Sequence, residues 1–313
     1  MSVSFPCTAS IVRSVSDGAP PPPWVQELVD DRTLVIEQSC RSRSMTRLRS
    51  ARHTLISVRV ADAVSLDARR LRLATFDAYV AIAHQLEIGQ HRHPVRFWNY
   101  IPDIHGRFDD GRDRYMAFNA GRFDAFTQWY GGPSAFAQHL PTASGVGCMG
   151  SDLVVHCLAA AAPGSAVENP RQIPSYHYSP RFGPLPPCFA RATVVGARTR
   201  RAAMLLVGGT ASVRGEESVY QDDLPRQMDE TLVNLASLVR AARCMHSPRR
   251  ALRQDDTLHC FRELRVYYTR GSQQDEIVAA VQAAFGGLRR MELMQADLCR
   301  SELLVEIEGM AVI

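Results

Sequence analysis

The sequence predicts an α+β protein built from two similar units. Segments with the periodicity of strands and helices alternate along the chain, and their order in the first half recurs in the second. The 313 residues are 46% hydrophobic, which is enough apolar material for a sizeable core. The longest apolar stretches reach about half the length that a bilayer-spanning helix needs, so no membrane segment is expected.

The first unit is expected to follow an extended lead-in, because four consecutive prolines at 20–23 fit neither a helix interior nor an internal strand. After the prolines, hydrophobic periodicity predicts a strand, a helix, a strand, a helix and a strand, in chain order, at residues 55–60, 67–88, 95–104, 113–130 and 153–161. These elements place one α+β unit within residues 1–165.

The second half repeats this order. The predicted elements are a strand, a long amphipathic helix, a strand, a helix and paired closing strands, at residues 202–213, 224–242, 259–269, 274–285, 293–298 and 303–312. Such repetition indicates duplication of one unit, with the second copy at residues 166–313. We therefore expect a mixed sheet packed under helices in each half and a cleft between the halves where a ligand could bind.

Charge and composition limit the classes of ligand. All 36 basic residues are arginines, and the formal net charge is +4. The planar guanidinium group matches carboxylates, so small acidic ligands are compatible, although genomic base composition explains the arginines equally well. The basic clusters at 41–52 and 198–201 are short and lack interleaved aromatic residues, so no nucleic acid partner is expected.

Neither a metal site nor a disulfide framework is predicted. Eight cysteines lie far apart without a CxxC pair. His91 and His93 flank Arg92, but no carboxylate or further histidine has convincing spacing for a metal. The chain begins without the basic stretch and apolar run of an export signal, so a cytoplasmic protein is expected.

The closing strand carries two carboxylates on one face. Because side chains alternate along a strand, Leu303, Val305 and Ile307 form a core face, and Leu304, Glu306 and Glu308 share the other face. That face is either solvated or lines a closed cleft, where desolvation would raise the pKa of a glutamate and suit it to general acid catalysis. Cys299 lies a few residues earlier, and a cysteine in such a place is inert packing unless a neighbouring group activates it.

A proline-rich connection and a glycine pair are further candidates for the site. Residues 168–191 are too rich in proline for a helix, and connections of this length are either linkers or functional loops. Gly208 and Gly209 end a predicted strand, where the missing side chains permit a bulge or the close approach of a ligand.

Ten short stretches carry a family resemblance. They read, in order, WNYIPDI at 98–104, RYMAFNAGR at 114–122, ENPRQ at 168–172, YHY at 176–178, FGP at 182–184, FARA at 189–192, GTAS at 209–212, residues 230–235, ADLC at 296–299 and VEIE at 305–308. In order and spacing they resemble the chorismatase family, whose C-terminal half has the YjgF-like (Rid) fold. Gly215-Glu216 and residues 173–175 depart from the family pattern, which affects the expected product more than the reaction class.

The resemblance implies two Rid-like units, the first degenerate, and an enzyme of secondary metabolism that acts as a lyase or hydrolase. It would remove the enolpyruvyl group of chorismate as pyruvate and form 3-hydroxybenzoate, or also 4-hydroxybenzoate. Glu306 corresponds to the catalytic acid, and Cys299 to the position associated with hydroxybenzoate formation. Substrate contacts are assigned to a further set, of which the last member tunes the product: Arg122, Tyr178, Arg191, Thr210 and Ala211.

The chemistry agrees with this assignment and leaves alternatives open. Chorismate offers two carboxylates for arginine and an enol ether that accepts a proton from Glu306, and neither metal nor organic cofactor is required. The alternatives are a chorismate hydrolase that forms a dihydroxycyclohexadiene carboxylate, a Rid-like imine hydrolase and a nonenzymatic protein that binds small acids. The oligomeric state stays open, with a monomer that has an internal domain interface as one option.

Overall fold

The computed structural model describes residues 9–15, 19–29, 38–40, 43–196, 203–246 and 257–313. Its strands, in chain order, are β1 (Ser10–Val15), β2 (Gln38–Cys40), β3 (Arg43–Arg49), β4 (His53–Val60), β5 (His93–Pro102), β6 (Thr142–Cys148), β7 (Leu153–Ala160), β8 (Ser165–Val167), β9 (Ala192–Val195), β10 (Met204–Ala211), β11 (Val213–Arg214), β12 (Glu217–Ser218), β13 (Phe261–Tyr268), β14 (Arg290–Gln295) and β15 (Val305–Val312). Its α-helices are α1 (Pro23–Val29), α2 (Ala68–Glu87), α3 (Arg114–Tyr130), α4 (Phe136–His139), α5 (Leu224–His246) and α6 (Gln274–Ala284). Within these residues, every helix is too short or too polar to cross a membrane.

The strands form two large mixed sheets. One sheet has six strands in the order β2-β3-β4-β7-β5-β6, and the other has seven in the order β1-β14-β13-β15-β10-β9-β8. In the first, β5 pairs parallel with β6 and antiparallel with β7. In the second, β13 pairs parallel with β14 and antiparallel with β15. The mixed sheets expected from the sequence are confirmed.

The sheets pack against each other through their inner faces and carry the long helices on their outer faces. One apolar core, around Tyr79 and Phe97, lies between the six-stranded sheet and helices α2 and α3. Another, around Leu235 and Val266, lies between the seven-stranded sheet and helices α5 and α6. A third core, which includes Trp98, joins strands of both sheets. The α+β class, with each sheet under helices and a cleft between the halves, is confirmed.

Helices α2 and α3 begin where the sequence supplies a capping group. The carboxylate of Asp67 accepts a hydrogen bond from the amide of Arg70 at 2.8 Å, and that of Asp113 accepts one from the amide of Met116 at 2.7 Å. Helix α3 ends at Gly131, whose φ of 81° is in the left-handed region that glycine favours. These caps explain why α2 and α3 agree with the predicted segments within a few residues.

Several strands were missed by the hydrophobic pattern, among them β1, β3 and β6. Strand β1 lies within the expected lead-in and pairs parallel with β14, so residues Ser10–Val15 belong to the sheet of the second half. Strand β6 contains Gly145 and Gly147, which interrupt the alternation that marks a strand. The prolines before residue 23 are outside regular structure as expected, and Pro23 opens α1. The basic cluster at 198–201 lies outside the described residues, and the domain boundary at 165/166 stays a prediction.

Candidate active site

A cavity of about 390 Å³ opens between the two halves of the molecule. Helix α3 and strand β6 form one wall, and the connection 168–191, strand β10 and residues 299–306 form the other. Six of the seven residues singled out from the sequence line it: Arg122, Tyr178, Arg191, Ala211, Cys299 and Glu306. A volume of this size suits a small organic ligand.

Thr210 is the residue that the structure does not bring into the cavity. It lies opposite Ile307 across the β10–β15 pair, and Ile307 belongs to the core under the helices. Directly opposed residues of an antiparallel pair share a face, so the side chain of Thr210 points to that core. Its hydroxyl donates to the carbonyl oxygen of Gly208 at 3.0 Å. The side chain of Thr210 therefore does not face the cavity, which corrects the expectation that it contacts the substrate.

Glu306 lies in the cavity wall at the centre of the seven-stranded sheet. Its strand, β15, is paired on both sides, and its side chain is only 4% exposed. Burial, followed by the charge of Glu308, raises the pKa of Glu306 to about 8, whereas Arg96 and Arg191 act in the opposite direction. The carboxyl group therefore holds its proton at neutral pH, as a general acid must.

The choice between a solvated face and a closed cleft is decided by burial. Glu308 is 2% exposed, so neither carboxyl group of the closing strand is solvated. Only Glu306 is part of the cavity wall. Gly208 and Gly209 on the neighbouring strand β10 form a bulge, because the β10–β15 register shifts between Val207 and Thr210. A Cβ atom on Gly209 would lie 1.8 Å from Oε1 of Glu306, so the space at Gly209 is taken by the acid.

Two buried arginines supply positive charge to the cavity. Arg122 on α3 donates to Oδ1 of Asn119 at 2.7 Å, and Arg191 donates to the hydroxyl of Tyr178 at 2.6 Å. Both guanidinium groups lie against the ring of Phe189, at 5.7 and 5.0 Å from its centroid. Within the described residues, the Nε atom of each arginine is buried without a hydrogen-bond partner. These donors are available to an anionic ligand.

The connection 168–191 is a wall of the cavity and not a simple linker. Near its start, Arg171 bonds to Glu230 on helix α5 at 2.5 Å, and Arg214 bonds to the same carboxylate at 2.6 Å. Further along, the amide of Ser179 donates to Oε2 of Glu216 at 2.8 Å. These contacts attach the connection to the second half, where Tyr178 and Phe182 border the cavity.

Cys299 borders the same cavity close to the carboxyl group of Glu306. Burial, together with the nearby Glu306 carboxyl group, raises the pKa of the Cys299 thiol to about 12. The thiol is therefore protonated at neutral pH. A protonated thiol is a weak hydrogen-bond donor and a poor nucleophile, so the environment disfavours covalent catalysis by this residue.

Arg300 and Ser144 also line the cavity and were missed from the sequence. The guanidinium carbon of Arg300 lies 4.2 Å from the ring centroid of Phe182, and Nη1 donates to the carbonyl oxygen of Glu216 at 2.8 Å. The position of Arg300 directly after Cys299 was a usable signal. Ser144 carried none, because it lies in the glycine-rich strand β6 that periodicity did not reveal.

Comparison with known proteins agrees with this geometry. The family model described as "Chorismatase FkbO/Hyg5-like, N-terminal" matches residues 34–159. A 3-hydroxybenzoate synthase from Streptomyces hygroscopicus is 34% identical over 242 residues, which are 76% of this chain and 69% of that protein. This chain belongs to the chorismatase family.

Two further chorismatases extend the comparison. A chorismatase from Streptomyces hygroscopicus is 31% identical over 219 residues, which are 69% of this chain and 60% of the relative. The crystal structure of a chorismatase has a TM-score of 0.74 and 27% identity, and the match covers 90% of this chain and 80% of that one. The chorismatase resemblance found in the sequence is thus confirmed. The family model adds residues before position 95, where the sequence stretches gave no match.

Proposed function

We propose that this chorismatase binds chorismate in the cavity and releases its enolpyruvyl group as pyruvate. The observation that carries the proposal is a buried, protonated carboxyl group, that of Glu306, in one cavity with the cations Arg122, Arg191 and Arg300. The relatives named as chorismatase and 3-hydroxybenzoate synthase support the choice of substrate.

The cations match the two carboxylates of chorismate. Arg122 and Arg191 lie on opposite walls of the cavity. In the described part of the chain, the Nε–H group of each arginine is buried and has no hydrogen-bond acceptor. A carboxylate bound between such donors gains charge-assisted hydrogen bonds. Tyr178 and Phe189 supply ring faces against which the planar parts of the substrate can pack.

The reaction begins with a proton from Glu306. The proton goes to the methylene carbon of the enol ether, and the electrons of the double bond form the new C–H bond. The adjacent carbon becomes an oxocarbenium-like centre. Water, or the neighbouring ring hydroxyl group, adds to this centre, and collapse of the adduct breaks the ether bond and releases pyruvate. When water adds, the ring leaves as a cyclohexadiene diol, and loss of one water from this diol gives an aromatic hydroxybenzoate. When the neighbouring ring hydroxyl adds, the cyclic adduct collapses with cleavage of one ring carbon–oxygen bond, pyruvate carries that oxygen away, and the ring becomes aromatic by losing a proton and no water. Either aromatic route consumes no net water, whereas the hydrolytic route that stops at the cyclohexadiene diol consumes one.

Incubation with chorismate and an enzymatic assay of pyruvate test the proposal. We expect kcat/KM to be constant at neutral pH and to fall about tenfold per pH unit above the pKa of Glu306, which is about 8. The sign follows because only the protonated carboxyl group can donate. Absence of pyruvate release above a no-enzyme control would favour an imine hydrolase or a binding protein, and a rate that stays constant to pH 10 would exclude Glu306 as the acid.

The ring product is expected to depend on Cys299. The thiol is the proton-bearing group beside Glu306, and we propose that it directs the ring intermediate toward 3-hydroxybenzoate, with 4-hydroxybenzoate as a secondary product. The Cys299→Ala variant should still release pyruvate but shift the ring product toward the cyclohexadiene diol. Cys299→Ser, which keeps a polar hydrogen, is the matched control and should retain more of the aromatic product. Chromatography of the ring acids decides, and an unchanged product ratio in the alanine variant would leave Cys299 as packing.

A further inference from the structure

Glu308 is a buried carboxylate whose hydrogen-bond partners come from the other half of the molecule. Its Oε1 accepts a hydrogen bond from Nε1 of Trp98 at 2.8 Å, and its Oε2 accepts one from Nη2 of Arg96 at 2.6 Å. The hydroxyl group of Ser144 donates to the same Oε2. The donors lie on β5 and β6, whereas Glu308 lies on β15, so these bonds connect the two sheets.

Ser144 continues this network to the acid. Its Oγ accepts hydrogen bonds from Nη2 of Arg96 at 2.5 Å and from the amide of Gly209 at 2.9 Å. Gly209 is the bulge residue over which the carboxyl group of Glu306 lies. The position of Glu308 is therefore linked to that of Glu306 both along the strand, two residues apart, and through Ser144 and Gly209.

We propose that Glu308 is a positioning residue of the reaction: with Arg96, Trp98 and Ser144 it fixes Glu306 over Gly209, and it places a negative charge two residues from Glu306 on the same face of the strand. The inference rests on the proposed role of Glu306 as proton donor. Glu308 itself is outside the cavity wall, so it acts through Glu306 and not on the substrate.

The charged groups around Glu306 and Glu308 differ in how strongly they influence the protonation of Glu306. Burial and then Glu308 favour the protonated form of Glu306, and Arg96 is the first of the cations that oppose them. The other ionisable groups that act on the pair come from β5, α3, β13 and the strand connections: Tyr100, Tyr115, Tyr267, Arg265, Arg191, Cys299 and Arg300. Without Glu308, the positive charge of Arg96 would act on Glu306 uncompensated and favour its ionised form.

The test is the pH profile of the Glu308→Gln variant. We expect the alkaline limb of kcat/KM to move from about 8 down by about one pH unit or more, with activity partly recovered in acid. Glu292→Gln is the matched control, because Glu292 is also buried and is bonded by Arg265 through Nε at 2.7 Å and Nη2 at 3.0 Å, but lies outside the cavity wall. It should lose comparable stability and keep the limb in place. A folded Glu308→Gln variant with an unmoved limb would overturn the charge role.

Two further variants keep the inference testable if a single charge change prevents folding. Arg96→Met combined with Glu308→Gln leaves no unpaired buried charge from this pair, and the limb should return toward the wild-type value. Ser144→Ala keeps the Arg96–Glu308 ion pair but removes the bond to Gly209, and we expect kcat to fall about twofold to tenfold while the limb stays in place. Wild-type kcat in both variants would overturn the positioning role.

A titration that needs no turnover separates this inference from the proposed function. The infrared carbonyl band of the protonated Glu306 carboxyl group can be followed against pH, with Glu306→Gln as the blank. We expect the band to disappear at lower pH in Glu308→Gln than in the wild type. If the band shifts as expected but chorismate is not cleaved, the link between the carboxyl groups stands and the proposed reaction falls. If the band titrates identically in both proteins, Glu308 does not influence the protonation of Glu306.

Discussion

Replacement of Glu306 with glutamine is expected to lower kcat for pyruvate release by about a hundredfold or more while the fold is retained. Glutamine has the volume of glutamate and is uncharged, as Glu306 is at neutral pH because burial raises its pKa to about 8. The variant therefore keeps the packing of the cavity wall but has no proton to give. Chorismate binding should change little.

Two measurements separate loss of chemistry from loss of structure. The folded-state pKa of Glu306 lies above the unfolded value of 4.5, so the folded protein binds the extra proton between these values and loses stability as pH rises through about 8. Glu306→Gln lacks this group, and at pH 9 it should melt at a higher temperature than the wild type. Glu276→Gln, on an exposed position of α6, is the control for carboxyl removal. Near-normal kcat in Glu306→Gln would exclude the assigned role.

Substitution of Arg191 with alanine is expected to weaken chorismate binding by about tenfold to a hundredfold. One lost charge-assisted contact to a carboxylate costs about 1.5–3 kcal/mol, and the buried location limits replacement by water. Binding is best measured calorimetrically in the Glu306→Gln background, where the substrate is not consumed. Arg191 opposes protonation of Glu306, so its removal does not deprive the acid of its proton.

Controls for Arg191 must account for its neighbours. Burial raises the pKa of Glu168 to about 7 and Arg191 lowers it, so Glu168 can take up a proton when the cation is removed. This response limits the structural damage of Arg191→Ala. Arg191→Lys keeps the charge without the planar fork and should bind with intermediate affinity. Arg69→Ala removes an exposed arginine of α2 and should bind normally. Equal affinity of Arg191→Ala and the wild type would remove Arg191 from the site.

Much of the fold was predictable because periodicity reports burial. Helices α2 and α3 have capped starts and an apolar face, and the closing strand β15 alternates clearly, so each was located within a few residues. Strand β6 was not found, because Gly145 has no side chain: an ideal Cβ there would lie 3.2 Å from the ring of Tyr115. The ring of Tyr115 leaves little room at this position, and a residue without a side chain gives no hydrophobic signal.

The candidate site was predictable where its chemistry is local in the sequence and not where it depends on the packing of one half against the other. Alternation placed Glu306 and Glu308 on one face, but only the packing of β5 and β6 against that face shows that Glu308 is paired with Arg96 and that Glu306 faces the cavity. Thr210 was assigned to the substrate by resemblance, whereas the pairing of β10 with β15 places its side chain on the face opposite that of Ala211. A bulge shifts the register of β10 between Val207 and Thr210, and a bulge changes which residues face each side without altering composition.

The bulge at Gly209 also constrains how the sequence of this enzyme can vary. The backbone of Gly209 does not have a positive φ, so its conformation is open to other residues. The restriction is spatial, because a methyl group at this position would occupy the place of Oε1 of Glu306. A side chain at position 209 is therefore accommodated only if the carboxyl group of Glu306 moves or is shortened, and either change takes this carboxyl group from its place in the cavity wall. Among active relatives a side chain at position 209 should be as rare as loss of the glutamate, although the two residues are almost a hundred positions apart in the chain.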